Sequence, residues 1–151
     1  MSSPRRSTAK RPAGLLRANE LVYPIEGVGP HYGDGVWDFT ALIVRESQTE
    51  RAIHFESVPE GYRQSIRDTL VCLAQPTHPR LVAAGVVRRM PPAPSITLID
   101  TFTLLRVIAW WGHRRSLSTF GEWTQEHAVA FLDALRSGQH REGGTTVETS
   151  T

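Results

Sequence analysis

We expect the fold to form around SITLIDTFTLLRVIAWWGHRR, residues 95–115. Its apolar residues recur at spacings of three and four, which predicts an amphipathic helix. The stripe expected to face the core consists of Leu98, Phe102, Leu105 and Ala109. Because other apolar residues widen this surface, we expect the helix to be buried on more than one side. These other residues are Leu104, Val107, Ile108 and Trp111.

A second helix is predicted over TQEHAVAFLDALRS, residues 124–137. The stripe of this helix that is expected to be buried consists of Val129, Leu132 and Leu135, with Ala128 and Phe131 alongside. Ser and Thr are favoured at helix N-caps, so we expect Ser95 to cap the first helix and Thr124 the second. Glycine commonly follows the last turn of a helix, and Gly138 is therefore the expected end of the second one.

The first half of the chain is richer in loops. Prolines and glycines interrupt residues 24–35. One helix is predicted over residues 60–75, where apolar residues again recur at helical spacing and a proline follows. Arg63 and Arg67 lie one turn apart on its polar face, where they are either solvated or contact a phosphate group at two points. The short apolar run 41–44 fits a strand or a turn of helix equally well.

These patterns predict a mainly α-helical protein, a small helical bundle with disordered ends. We expect a disordered basic arm over residues 1–20 and a loop-rich region over residues 21–94 that contains the helix near 60–75. A helical module should occupy residues 95–137, and a disordered tail residues 138–151.

Positive charge is concentrated near the N-terminus. The formal net charge of the chain is only +2, yet five basic residues precede the first acidic residue, Glu20. They are Arg5, Arg6, Lys10, Arg11 and Arg17. Such an arm cannot offset its ordering entropy by burying apolar surface. It is either a tail that tracks the phosphates of a nucleic acid or an ordinary solubilising tail.

Several kinds of chemistry find no support in the sequence. Cys72 is the one cysteine, which excludes an internal disulfide and a cysteine-based zinc site. The histidines lack metal-ligand spacing, and there is neither a phosphate-binding GxxxxGK[ST] loop nor a nucleophile motif. We therefore expect a non-enzymatic protein without metal or cofactor. No apolar run reaches about 18 residues and no signal sequence is present, which predicts a cytoplasmic protein with no membrane role.

Residues 95–137 resemble the N-terminal core-binding, or SAM-like, domain of tyrosine recombinases, the phage integrase family. The features that carry the resemblance are an apolar-aromatic helix end at 105–111, a basic turn at 113–115, a step from Leu117 to Thr124-x-Glu126, and Phe131-Leu132 inside the next helix. Upstream residues 36–43 and 53–75 are similar to the segment that precedes this domain in some integrase-like proteins, though more weakly.

In that family the domain is an all-helical half-clamp on duplex DNA, and a separate domain carries the catalytic residues, including a tyrosine nucleophile. The resemblance therefore implies a fragment that contacts the phosphate backbone of double-stranded DNA without cleaving it. Integrase protomers or a catalytic domain are the other partners that it implies. The DNA-binding residues that we expect are His113, Arg114 and Arg115, supported by Arg106 and by Arg5, Arg6, Lys10 and Arg11 of the arm.

Three alternatives stay open from the residues alone. The cations at 113–115 also fit simple capping, because the helix macrodipole favours positive charge at a C-terminus. Trp110 and Trp111 fit core packing as well as stacking on bases. The whole chain also fits a helical protein-interaction module or a non-functional integrase remnant. An exposed apolar patch near Trp110 and Trp123 would favour that second class of function.

Overall fold

The computed structural model describes residues 14–42, 51–85 and 90–138. Over this part of the chain the protein is mostly helical, as predicted. Its helices are α1 (Glu60–Ala74), α2 (Pro79–Ala83), α3 (Ser95–His113) and α4 (Gln125–Ser137). Strands β1 (Val36–Asp38) and β2 (Ala52–His54) form an antiparallel pair in which Trp37 lies opposite Ile53. None of the helices in the described ranges is long and apolar enough to cross a membrane.

The core lies where α1, α3 and the β1–β2 pair meet. Trp37 is the central, inward-facing residue of β1 and is fully buried between two exposed neighbours. Phe55, just after β2, connects the strands to α3, because its ring centroid lies 4.8 Å from that of Trp37 and 5.7 Å from that of Phe102. The same core also includes Tyr62, Ile66 and Leu70 of α1. The loop-rich region and the helical module therefore share a single core across residue 94.

The long helices form where the apolar spacing predicts them. In α3 the predicted stripe faces the core: Leu98, Phe102 and Ala109 are buried, and Leu105 packs at the margin. The helix is also buried on a second side, where Trp111 heads a smaller cluster with Val107 and Ile108. Leu104 was expected to join that second side, but its side chain is 52% exposed.

One of the two predicted helix caps is wrong. Pro94 occupies the N-cap position of α3 with an extended backbone, and Ser95 is the first helical residue and buried. Thr124 does cap α4, as predicted. Its hydroxyl accepts the backbone N–H of His127 at 3.3 Å, and its own N–H donates to His127 Nδ1 at 2.9 Å. Gly138 follows α4 with a left-handed φ of 85°, which confirms the predicted end.

A small aromatic cluster attaches α4 to α3. The ring centroid of Trp111 lies 5.4 Å from that of Phe131 and 5.5 Å from that of Trp123. Phe131 and Ala134 are the buried residues of α4. The predicted buried stripe is therefore wrong: Val129, Leu132 and Leu135 are 50%, 54% and 41% exposed. Phe131, the bulkiest side chain of α4, turns toward the tryptophans, and Leu132 projects about 100° away from it around the helix.

The N-terminal arm is shorter than predicted. Leu16 is buried in the core, the backbone N–H of Leu15 donates to the Asp68 carboxylate at 2.9 Å, and Arg80 donates to the carbonyl of Leu15 at 2.7 Å. The packed part of the chain thus includes residues 14–20, which we expected to be disordered. Residues 1–13 and 139–151, and with them Arg5, Arg6, Lys10 and Arg11, lie outside the described residues.

Candidate nucleic-acid interface

One side of α3 carries four of the basic and aromatic residues that the sequence singles out. Trp110 follows Arg106 by four residues, and His113 and Arg114 follow Trp110 by three and four residues. These spacings place the four residues on the same side of α3 and of its C-cap, Arg114. We call these four residues the basic face. His113 and Arg114 are exposed, whereas Arg106 and Trp110 are half-buried. The exposed side chains of His113 and Arg114 therefore flank a partly covered aromatic ring.

Within the basic face, the side chain of Trp110 is held in place by a hydrogen bond. Its indole Nε1 donates to the backbone carbonyl of Ser57 at 2.8 Å, which ties the ring to the turn after β2. The His113 ring meets Trp110 edge to face, with centroids 5.3 Å apart. The Arg114 guanidinium lies 5.9 Å from the centroid of the Trp110 ring. Trp110 thus contacts both side chains, and its own polar atom is satisfied within the protein.

The two guanidinium groups of the basic face keep their donors available. Arg114 contacts the Trp110 ring and Arg106 lies 5.8 Å from the centroid of the Phe102 ring. Neither side chain makes a hydrogen bond or ion pair with any residue in the part of the chain that the structure describes. Each guanidinium therefore retains planar N–H donors that suit a phosphate or carboxylate.

Arg115 does not belong to this face, although it adjoins Arg114 in sequence. Its guanidinium lies 4.0 Å from the centroid of the Trp111 ring, on the side of α3 where α4 packs. Its Nη1 also donates to the carbonyl of Trp111 at 3.1 Å, one of the last carbonyls of the helix. The capping interpretation of the basic turn therefore applies to Arg115, and the predicted three-residue cluster is divided between two sides of the helix.

A cleft of about 510 Å³ lies beside Arg106, between β2 with its following turn and α3. Phe102 and Ile99 form its apolar floor, and its polar lining includes His54, Glu56 and Arg106. No local pattern indicates His54 or Glu56 as site residues, because strand pairing rather than local spacing brings them to α3. Glu56 places a carboxylate in the same cleft as Arg106. This carboxylate would repel a phosphate group bound by Arg106.

Arg63 and Arg67 both donate to backbone carbonyls, so the solvated interpretation is wrong for both side chains, and a phosphate contact stays a prediction. Arg63 donates through Nε to the carbonyl of Val58 at 2.8 Å. Arg67 donates through Nη1 to the carbonyls of Tyr32 at 2.6 Å and Asp34 at 2.8 Å, and lies 4.1 Å from the centroid of the Phe55 ring. Burial lowers the pKa of the Arg67 guanidinium from its ordinary value.

Within residues 14–42, 51–85 and 90–138, no group of His, Cys, Asp and Glu side chains is arranged to hold a metal ion. No protein-family model, curated protein or solved structure matches this chain.

Proposed function

We propose that this protein binds double-stranded DNA in the cytoplasm through its phosphate backbone, as a non-catalytic, DNA-binding fragment of a tyrosine recombinase or phage integrase. The proposal includes a SAM-like, core-binding identity for the helical bundle. It draws on the resemblance of residues 95–137 to that domain and on the helices α3 and α4 that form within them.

The observation that carries the proposal is the unpaired state of Arg106 and Arg114 on one side of α3. Arginines with structural roles in this chain, such as Arg67, direct their donors to backbone carbonyls. The guanidinium groups of Arg106 and Arg114 instead lie 5.8 and 5.9 Å from the centroids of aromatic rings, with their donors unused among the described residues. A ring within about 6 Å attracts a guanidinium and so restricts a long side chain beforehand, which reduces the rotamer entropy lost when the guanidinium contacts a phosphate.

Such contacts position a protein on DNA without reading its sequence. His113 adds a hydrogen-bond donor beside Arg114, and the arm residues Arg5, Arg6, Lys10 and Arg11 would add further charge. If about four phosphates are neutralised, the logarithm of the association constant falls against the logarithm of salt concentration with a slope of roughly −3 to −4. Binding should therefore be salt-dependent and nearly independent of sequence.

Fluorescence anisotropy of a labelled random duplex, titrated with the protein at two salt concentrations, tests the proposal. We expect the variant Arg106→Gln/Arg114→Gln to bind at least about tenfold more weakly and its salt slope to be less steep by about 2 units. Arg17→Gln is the matched control, because Arg17 is an exposed arginine that lies outside the basic face and is already paired with Glu20 at 3.9 Å. Arg115→Gln should have a smaller effect than Arg114→Gln, since Arg115 lies on the other side of α3 and its Nη1 already donates to the carbonyl of Trp111.

Two results would overturn the proposal. One is a folded wild-type protein, verified by circular dichroism, that does not bind the duplex at low salt. The other is a double variant that binds as tightly as Arg17→Gln. Glu56→Gln gives an independent check, because removing the carboxylate beside Arg106 should strengthen binding.

A second candidate function, a helical protein-interaction module, is favoured by a different observation. Val129, Leu132 and Leu135 present an apolar surface on α4 that the core does not cover. Exposed apolar residues that cluster on one element commonly mark a site of protein association.

A further inference from the structure

The side of α4 that faces away from the core carries a row of exposed apolar residues, as protein interfaces do. Val129, Leu132 and Leu135, which we call the apolar stripe, lie on successive turns of one helix and are each about half exposed. Leu104 of α3 is exposed to a similar degree and lies one and two turns from Ile108 and Trp111, on the side of α3 that faces α4. Single exposed aliphatic residues are ordinary, but a row of them along one helix is not.

We propose that the apolar stripe is a self-association surface on which α4 of a second copy of this chain packs in the antiparallel direction. The stripe is symmetric about Leu132, because Val129 and Leu135 lie three residues to either side. An antiparallel copy therefore places Val129 against Leu135 of the second copy and Leu132 against its own equivalent on a two-fold axis. An isologous interface requires this kind of self-complementary pattern.

The charges at the ends of α4 favour the same arrangement. Glu126 lies in the first turn of the helix and Arg136 in the last, and both are exposed. Antiparallel pairing about Leu132 brings Arg136 to the level of Ala128 of the second copy, two residues from Glu126. Opposite charges then meet at both ends of the interface, whereas parallel pairing would place like charges side by side. The antiparallel helix dipoles also attract.

The same charges argue against a lipid surface as the occupant. Helices that lie on membranes carry Lys and Arg on their polar side. The margins of the apolar stripe instead hold two acidic residues, Glu126 and Asp133, and one basic residue, Arg136, which is already paired with Asp133 at 2.7 Å. A protein surface with complementary charge, which a second copy supplies, is the better match.

Self-association specifies the partner for the second candidate function and does not depend on DNA binding. The basic face and the apolar stripe lie on different helices, and α4 contacts the Trp111 side of α3 rather than the Trp110 side. A dimer formed through α4 therefore leaves Arg106 and Arg114 accessible. DNA binding can therefore be lost while self-association is retained, and self-association can be lost while DNA binding is retained.

Sedimentation equilibrium from micromolar to submillimolar concentration tests the interface. We expect the wild-type chain to form a dimer and Leu132→Asp to remain monomeric over the same range. Leu132 is 54% exposed, so this substitution should leave the fold and the DNA affinity intact, and circular dichroism and anisotropy check both. Ser65→Asp, an exposed substitution on α1, is the matched control and should dimerise as the wild type does.

Charge variants test the orientation. Arg136→Glu and Glu126→Arg should each weaken self-association, because each places like charges at both ends of the interface. An equimolar mixture of the two variants should associate at least as tightly as the wild type. In the mixed dimer one copy carries two acidic residues at positions 126 and 136 and the other carries two basic residues, so opposite charges meet at both ends of the interface. A wild-type chain that stays monomeric throughout, a Leu132→Asp chain that dimerises normally, or a mixture no tighter than its components would overturn the proposal.

Discussion

At the scale of single residues, the arginines of this chain divide by what their guanidinium groups contact. Arg67 donates to two carbonyls from the loop before β1 and stacks on Phe55 of the core. Arg67→Ala should lower the free energy of unfolding by about 1–3 kcal/mol, because the partly buried carbonyl of Tyr32 and the exposed carbonyl of Asp34 lose a charged donor and the core loses a packed side chain. Urea unfolding followed by tryptophan fluorescence measures the change.

Arg114→Ala is the control for this prediction, because the Arg114 side chain is exposed and makes no hydrogen bond among the described residues. Its unfolding free energy should stay within about 0.5 kcal/mol of the wild type. Equal destabilisation by the two substitutions would show that Arg67 is not a structural residue. Sequence alone could not separate the two arginines, since the carbonyls that Arg67 contacts are more than 30 residues away along the chain.

At the scale of elements, the packing of α3 against α1 and the turn before α4 depends on Gly112. A Cβ built on Gly112 would lie 2.6 Å from Tyr62 Oη and 2.7 Å from Trp123 Cζ2. Tyr62 Oη is itself held, since it donates to the carbonyl of Leu117 at 2.6 Å and accepts from Trp123 Nε1 at 3.0 Å. Gly112→Ala should therefore destabilise the protein by about 1–3 kcal/mol, measured by urea unfolding.

The sign of this effect is the critical result, because Gly to Ala inside an unconstrained helix stabilises by about 0.5–1 kcal/mol. Gly121→Ala provides the comparison. A Cβ at that position would find Thr119 Oγ1 at 3.6 Å, an ordinary contact, so little change is expected. A stabilised Gly112→Ala protein would contradict the close approach of Trp123 and Tyr62 to α3.

The helices themselves were predictable from the sequence, whereas the sides that they bury were predictable only in part. In α3 the apolar residues near the N-terminal end form one dominant stripe, and that stripe is buried. In α4 two neighbouring stripes compete, one through Phe131 and one through Leu132, and spacing alone does not decide between them. The rings of Trp111 and Trp123 decide it, because they offer Phe131 an aromatic partner.

The candidate site was predictable to a similar extent. The local sequence indicates Arg106, His113 and Arg114, because helical spacing fixes their common side. It could not indicate that Arg115 turns to Trp111, since capping and stacking depend on side-chain conformation. Nor could it indicate His54 and Glu56, which reach the cleft through the pairing of β1 with β2.

At the scale of the whole molecule, the N-terminal segment and α2 are joined by one ion pair, in which Arg80 Nη1 lies 3.2 Å from Glu20 Oε1. The hydrogen bond from Arg80 lowers the pKa of the Glu20 carboxyl below its ordinary value of 4.5. A lowered folded-state pKa means that the carboxylate contributes stability above about pH 4.5, and that this contribution is lost as the pH falls through the folded-state pKa. The protein should therefore lose stability on acidification.

Arg80→Gln should make the free energy of unfolding less dependent on pH below about pH 4.5, with a difference under about 1 kcal/mol because the pair is partly exposed. Urea unfolding at several pH values measures this dependence of the unfolding free energy on pH.

Arg80 also donates to the carbonyl of Leu15, so the variant loses stability at every pH. Only the dependence on pH therefore reports on Glu20. Some acid dependence should persist, because hydrogen bonds from Thr40 lower the pKa of Asp38 independently. In a Glu20→Gln background, Arg80→Gln should leave the dependence of the unfolding free energy on pH unchanged. A further change in that background would show that another carboxylate causes the effect.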